Sequence, residues 1–304
     1  KQTERTELDD ALQHYSMAKK DLDVRVVDWD KKDELYRSHI QEEDWPFQSL
    51  VFDPRIFTIL TEKTARLISA KPRGKVFPRE GTDVGAARVV NELLSYQWDN
   101  ARQDGTMLQK LALMDQRARK YGASFGFARW WYERKISPKG KASKLYDSPD
   151  FLPIHPKNAL PDPNATSLET CRWFQIRSYP TYQELLAVND AARKDPVYSP
   201  EALEVLKSRM KERPSASYES DFLNKNRTIS KLSDQSAADP LYRIIRIVTE
   251  YRRDRWITFA PDYNLVLRSI PNPYEHYEIP VVMLRYLPTG DDLYGLSEIE
   301  PMEK

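Results

Sequence analysis

The sequence predicts an α+β fold, with helices first, then a mixed region, then mainly strands. Two observations carry this prediction. Apolar residues recur at helical spacing up to about Tyr121 and afterwards alternate at the period of a strand. The strand-like runs also follow one another across Pro-, Gly- and Asp-rich turns, rather than alternating regularly with helices as a parallel α/β sheet requires.

Residues 1–44 are charge-rich and read as a helix that is exposed or covered by a partner. Pro46 and Pro54 interrupt the pattern. From Pro54 the spacing of Ile56, Ile59, Leu60, Ala65, Leu67 and Ile68 is helical, with Asp53 expected as the cap and Pro54 in the first turn. Pro72 and Gly74 end that helix. Residues 84–100 form a second amphipathic pattern, with Val90, Leu93, Leu94 and Trp98 on one face. A third helix, with Leu108, Leu111 and Met114 on one face, runs from 106 to about Tyr121. Past Gly122, Phe125, Phe127 and Trp131 alternate as on a strand.

"SPKGKASK" then reads as a hairpin-like turn, and "LYDSPDFLPIHPKNALPDP" as a second strand entering a Pro-rich loop. "CRWFQIRSYP" is a further strand. Thr181 with Glu184 forms a capping box for the next helix, and Ser199-Pro200 opens another. Residues 213–239 carry few apolar anchors and read as a mobile surface insertion. Residues 240–270 read as two or three strands. "IPVVMLRYLPTGDDLYGLSEIEP" (279–301) reads as a strand, a turn and the start of a helix. The sequence thus divides into a helical arm (1–50), an α+β body (51–290) and an onward helix (291–304). No internal repeat is apparent.

Composition narrows the function. The 47 basic and 46 acidic residues leave a net charge of +1, which disfavours a dedicated nucleic-acid binder that draws its affinity from excess cation. Seven Trp and 17 Tyr suit an interface, where a flat apolar body with a polar tip is useful. A single cysteine, Cys171, excludes an internal disulfide, fits a reduced setting and reads as packed. No apolar run approaches the ~20 residues that span a bilayer, and no signal peptide is visible.

Motifs for catalysis are missing from the pattern. The histidines His14, His39, His155 and His276 have no i,i+4 partner, and no HExxH or phosphate-binding glycine loop occurs. No catalytic, cofactor-binding or metal-ligating residue is therefore nominated. Asp291 and Asp292 read as turn and cap residues. "RARK" (117–120) reads as the solvated end of a helix, its cations complementing the dipole. "EYRRDRW" (250–256) reads as a strand's wet face or a subunit contact. Trp130, Trp131, Arg172, Trp173, Arg253 and Trp256 are the candidate subunit-interface residues; the competing reading is that the tryptophans fill the subunit's own core.

Four segments, in order, resemble the portal proteins of tailed bacteriophages. They are "VFDPRIFTILTEKTARLISAKPRGKVFP" (51–78), "LMDQRARKYGASFGFARWWYE" (113–133), "FLPIHPKNALPDPNA" (151–165) and "HYEIPVVMLRYLPTGDDLYGLSEIE" (276–300). The last is the most specific. The resemblance implies the wing of a portal subunit, with the stem, clip and crown largely outside this sequence and the final helix continuing toward the stem.

It also implies a virion protein, assembled in the host cytoplasm, that forms a ring of about twelve subunits at a capsid vertex. Its partners would be the terminase motor, the major capsid protein, head-completion and tail proteins, and the double-stranded DNA that passes through. No enzymatic activity, cofactor or membrane span is expected. Two other readings remain: a different ring-forming head–tail protein, or a metal-dependent nucleic-acid enzyme using Asp291, Asp292 and Glu298.

Overall fold

Helix α1 (Gln2–Arg37) buries Ala11, Tyr15, Ala18 and Leu22 at helical spacing in its first part, and Trp29 and Lys32, three positions apart, in its second. A computed structural model describes residues 2–37, 54–70, 74–99, 106–136, 142–192, 196–212, 244–290 and 292–302. Asp53, His39, Asp291 and the 213–239 segment lie outside the described residues.

The chain clusters into two compact units. The first comprises residues 1–22, 158–164 and 171–279, and the second residues 23–157, 165–170 and 280–304.

In the first unit an antiparallel sheet has the order β3-β4-β5-β6-β7, built from β3 (Ala159–Pro161), β4 (Trp173–Ser178), β5 (Ile247–Arg252), β6 (Arg255–Ala260) and β7 (Leu265–Pro271). The predicted strands over 171–180 and 240–270 are these. Helices α5 (Tyr182–Ala192) and α6 (Pro200–Glu212) pack their apolar faces, including Leu185, Leu203, Leu206 and Met210, onto Ile245, Ile247, Ala260 and Leu267. Both predicted caps form. The Thr181 backbone N–H donates to Glu184 at 2.8 Å and the Glu184 N–H to Thr181 Oγ1 at 3.3 Å, while the Ala202 N–H donates to Ser199 Oγ at 3.4 Å. Strand β5 departs from the alternation expected of a wet face. Glu250 is fully buried, because His14, Gln175 and Arg252 surround its carboxylate.

The second unit holds α2 (Arg55–Ser69), α3 (Val84–Asp99), α4 (Met107–Tyr121) and a sheet of order β2-β1-β8, from β1 (Ala123–Ile136), β2 (Ala142–Ile154) and β8 (Val281–Arg285). The switch from helix to strand falls at Gly122, as the change of period predicts. Helix α2 starts one residue later than expected: Pro54 precedes it, and its carbonyl accepts the Thr58 N–H at 3.0 Å. Helix α4 opens on a capping box between Thr106 and Gln109.

Two further stretches read from the sequence lie in this unit. Of the predicted face of α3, Val90, Leu93 and Leu94 are exposed and Trp98 is half-buried; Val89 beside it is exposed and Ala87 is buried. The stretch after Tyr294 does not become an α-helix within the described residues. It runs as turns and ends in a short 3-10 helix, Glu300–Met302, and the Glu298 N–H donates to the Arg119 carbonyl of α4 at 2.7 Å. No helix among the described residues is long and apolar enough to cross a membrane.

Candidate functional site

Two Tyr-Gly pairs, 173 positions apart in the chain (121 against 294), meet in the second unit. Gly122 terminates α4 with φ +88°, a region that only glycine enters at low cost. A Cβ on Gly122 would stand 1.9 Å from the Gly295 carbonyl oxygen, and one on Gly295 would stand 2.4 Å from the Leu287 carbonyl oxygen. Three backbone stretches therefore lie in direct contact, and side chains at either position would force them apart. The Tyr286 N–H donates to the Gly122 carbonyl at 3.0 Å, and the Leu296 N–H to the Leu287 carbonyl at 2.9 Å.

The tyrosines flank this backbone crossing. Tyr121 and Tyr294 are both buried and both pack on Trp29 of α1, with ring centroids 5.4 Å and 5.7 Å away. The Arg25 guanidinium lies 4.3 Å from the Tyr294 ring centroid and also binds Asp292 at 2.9 Å. The Tyr121 hydroxyl donates to Asp33 at 2.6 Å, and burial pushes its own ionisation up, with Asp33 adding to the rise.

Around the crossing lies a ring of paired charges. Arg119 binds Asp115 at 2.8 Å and Glu298 at 3.0 Å; Lys63 also reaches Glu298, and the Thr64 hydroxyl donates to Asp115 at 2.9 Å. Asp33 holds Lys120 at 2.5 Å and Lys157 at 2.8 Å, and Lys157 binds Asp30 at 2.7 Å. Lys32, almost fully buried, joins Asp28 and Glu300, each at 2.6 Å. Burial would raise the Glu298 and Asp33 carboxyls, but their lysine and arginine partners outweigh it and hold both below the usual carboxylate range. Burial, reinforced by Arg117 and Lys157, holds His155 down at about 3, so its imidazole is neutral. His155 Nδ1 accepts the Lys157 N–H at 3.2 Å.

This arrangement corrects the reading of "RARK". Arg119 and Lys120 are not a solvated helix end; their side chains are 14% and 12% exposed, and they tie α4 to residue 298 and to α1. The i,i+4 spacing of Asp115 and Arg119 was a legible signal of one pair. Nothing local marked Lys63, Asp33 or Lys157.

Chemically, the site holds geometry. Asp292 and Glu298, the acids a metal enzyme would have used, face Arg25 and the Lys63–Arg119 pair respectively. Among the described residues, no group of three His, Cys, Asp or Glu side chains is placed to hold a metal ion. Cys171 is buried, its thiol donates to the Trp173 carbonyl at 2.9 Å, and burial pushes its ionisation up to about 11.

The six interface candidates divide between surface and interior. Trp173 is buried and stacks on His14 at 4.7 Å. Trp256 is buried between Tyr251 and Tyr274, at 5.0 Å and 5.4 Å. Both rings are enclosed by their own unit. Trp130 is 61% exposed, its indole donating to Asp147 at 2.6 Å. Trp131 is half-buried with the Arg129 guanidinium 4.6 Å from its ring. Arg172 is exposed and binds Asp162 at 2.8 Å, and Arg253 is exposed. Trp130 and Trp131 belong to the second unit, and Arg172, Trp173, Arg253 and Trp256 to the first.

No family model matches the chain, and no curated protein matches it significantly.

Proposed function

We propose that this chain is the wing of a bacteriophage portal subunit, which forms a ring at the capsid vertex and passes double-stranded DNA. The reading rests first on the order of the four segments across 51–300. One structural observation supports it more than any other. The Tyr-Gly of the second segment and the Tyr-Gly of the fourth are parts of one backbone crossing, and Arg119 of the second binds Glu298 of the fourth.

On this reading the protein works by shape and self-association. ATP hydrolysis belongs to a separate terminase motor, and the capsid and tail proteins bind the ring's outside and ends. The near-balance of charge suits a channel that must let DNA move, since each phosphate–lysine contact has to break at every step. The crossing would fix the direction in which the chain leaves the wing after residue 300. A ring closes through heterologous contacts, in which two different faces of one subunit meet.

The test is electron microscopy and native mass measurement of the complete gene product under assembly conditions. A closed ring with an axial opening wide enough for duplex DNA is expected. A stable monomer would overturn the reading, and a ring with no through-channel would point to a different head–tail protein.

A further inference from the structure

We propose that helix α1 is exchanged between neighbouring subunits of the ring, the α1 of one protomer covering the five-stranded sheet of the next. The inference rests on the ring reading above and names the element that joins two protomers.

The five-stranded sheet has two covers of opposite kind. Ile247 and Glu250 stand three positions apart on β5 and therefore point to opposite faces. On the Ile247 face, α5 and α6 close an apolar core with Leu185, Leu203, Leu206 and Met210. On the Glu250 face lies the part of α1 up to Leu22, and its contacts are largely polar. His14 Nδ1 stands 3.3 Å from the Glu250 carboxylate, and the His14 ring stacks on Trp173 at 4.7 Å. The Gln175 amide donates to the Ala11 carbonyl at 3.1 Å and also to Glu250. Glu7 accepts from the Ser269 hydroxyl at 3.2 Å and from the Arg255 guanidinium.

Two buried atoms beside this contact stay unsatisfied. Gln175 Oε1 and Arg252 Nη2 find no hydrogen-bond partner among the described residues, although Gln175 is fully buried and Arg252 binds Glu250. A core that is never opened excludes such groups, because each costs free energy. A seat that stands open to water before its occupant arrives tolerates them. With α1 lifted, Glu250, Gln175 and Arg252 are hydrated, and Glu7 and His14 keep the inner side of the helix soluble. The Ile247 face has no such freedom, since opening it exposes leucines.

The rest of α1 is held in the second unit in the same manner. Arg25 binds Asp292, Lys32 binds Glu300, and Asp33 binds Lys120 and Lys157, with Trp29 the apolar side chain buried there. What covers each seat is therefore visible: it is α1. Identical chains offer identical seats, so every one of these contacts carries over unchanged when the helix sits on a second copy. Residues 38–53 join α1 to α2. Sixteen residues span up to about 55 Å when extended, beyond the ~30 Å diameter of a small domain.

The experiment uses the complete protein carrying Glu7→Cys and Ser269→Cys, whose natural side chains touch, joined by a short bismaleimide; buried Cys171 does not compete. Arg5→Cys with Arg268→Cys, which line one groove, is a second pair that leaves Glu7 in place. Rings are assembled from equal parts of isotope-labelled and unlabelled chains, and native mass establishes the ring before the reagent is added. The expected result is a ladder of covalent oligomers on denaturing electrophoresis, with linked peptides that join labelled to unlabelled chains. In a ring, links confined to single chains would overturn the exchange while leaving the portal reading intact. A ring with no link at either pair would do the same, because α1 would then lie elsewhere. Unmodified protein that never forms a ring would remove both.

Discussion

Gly122 and Gly295 are the residues on which the second unit's crossing depends, and each fails for a separate reason if a methyl group is added. Gly122 has a positive φ and the Gly295 carbonyl where a Cβ would stand; Gly295 is hemmed in by the Leu287 carbonyl. The obstacle in both cases is backbone, which cannot swing aside as a flexible side chain would. Gly122→Ala and Gly295→Ala are each expected to destabilise the fold by about 2 kcal/mol or more, read as a lower denaturant midpoint. Gly290→Ala, with nothing within 4 Å of its added methyl, is the control and should stay within about 0.5 kcal/mol. Equal effects at all three positions would remove the crossing from consideration. His155 makes a second prediction at this scale. Its folded value near 3 lies below the ordinary value of 6.5, so between those values the unfolded chain holds the extra proton. Its contribution is complete above pH 6.5 and is lost as pH falls toward 3, at up to ~1.4 kcal/mol per pH unit. His155→Asn keeps an acceptor for the Lys157 N–H but does not titrate. Melting temperatures between pH 6.5 and 4.5 should therefore fall less in this variant than in the natural protein, and parallel curves would refute the assignment.

At the scale of elements, what could be read in advance was whatever a short window records. The period change at Gly122, the Thr181–Glu184 box and the Ser199-Pro200 start are all local, and all three form as read. Partners distant in sequence leave no local mark. Lys110 and Asp150, on α4 and β2, bind at 2.6 Å with both side chains 1% exposed, and Lys110 sits in the buried stripe of a helix whose visible pattern was Leu108, Leu111 and Met114. The helix expected after Tyr294 had a real local cause: Ser297 and Glu300 exchange the reciprocal hydrogen bonds of a capping box, at 3.3 Å each. The Glu298 carboxylate, next to that cap, binds Lys63 of α2 and Arg119 of α4. The exposed face of α3 is the opposite case, since a helical stripe reports that a face is apolar and not what covers it. The Lys110–Asp150 pair has a measurable consequence. Asp150→Ala leaves a buried ammonium with no counter-charge and should cost about 3–5 kcal/mol in urea unfolding. Arg129→Ala should cost far less, because Lys110 still neutralises Asp150. Lys110→Met combined with Asp150→Leu should recover part of the loss; a double variant no better than Asp150→Ala would mean that the cost lies in packing and not in the stranded charge.

At the scale of the whole molecule, a net charge of +1 conceals dense internal pairing, and the pairing explains how so polar a chain keeps its polar groups inside. In the first unit, Glu250 is buried with His14, Arg252 and Gln175, and Asp162 binds Arg172 and the Asn164 N–H. In the second, Asp33 and Glu298 are each held by two cations. For all four carboxyls burial favours the neutral form, and for all four the partners overcome it and depress the folded value. The sign of the pH dependence follows. Near pH 4 the unfolded chain, with ordinary values of about 3.9 for Asp and 4.3 for Glu, takes up protons that the folded chain refuses. The stabilisation is present above those values and is lost as pH falls through the lower, folded ones. Both units should therefore unfold in acid, in a step below about pH 4 that is separate from the shallower decline between 6.5 and 4.5 assigned to His155. Glu298→Gln should reduce the acid step and also lower stability at pH 7, since Lys63 and Arg119 lose their shared anion. Glu201→Gln, on the exposed first turn of α6, should change neither. Far-ultraviolet circular dichroism followed from pH 7 to 2 reads this directly. A signal that holds to pH 2 would mean that the buried carboxylates contribute nothing net, and that packing alone keeps these two units folded.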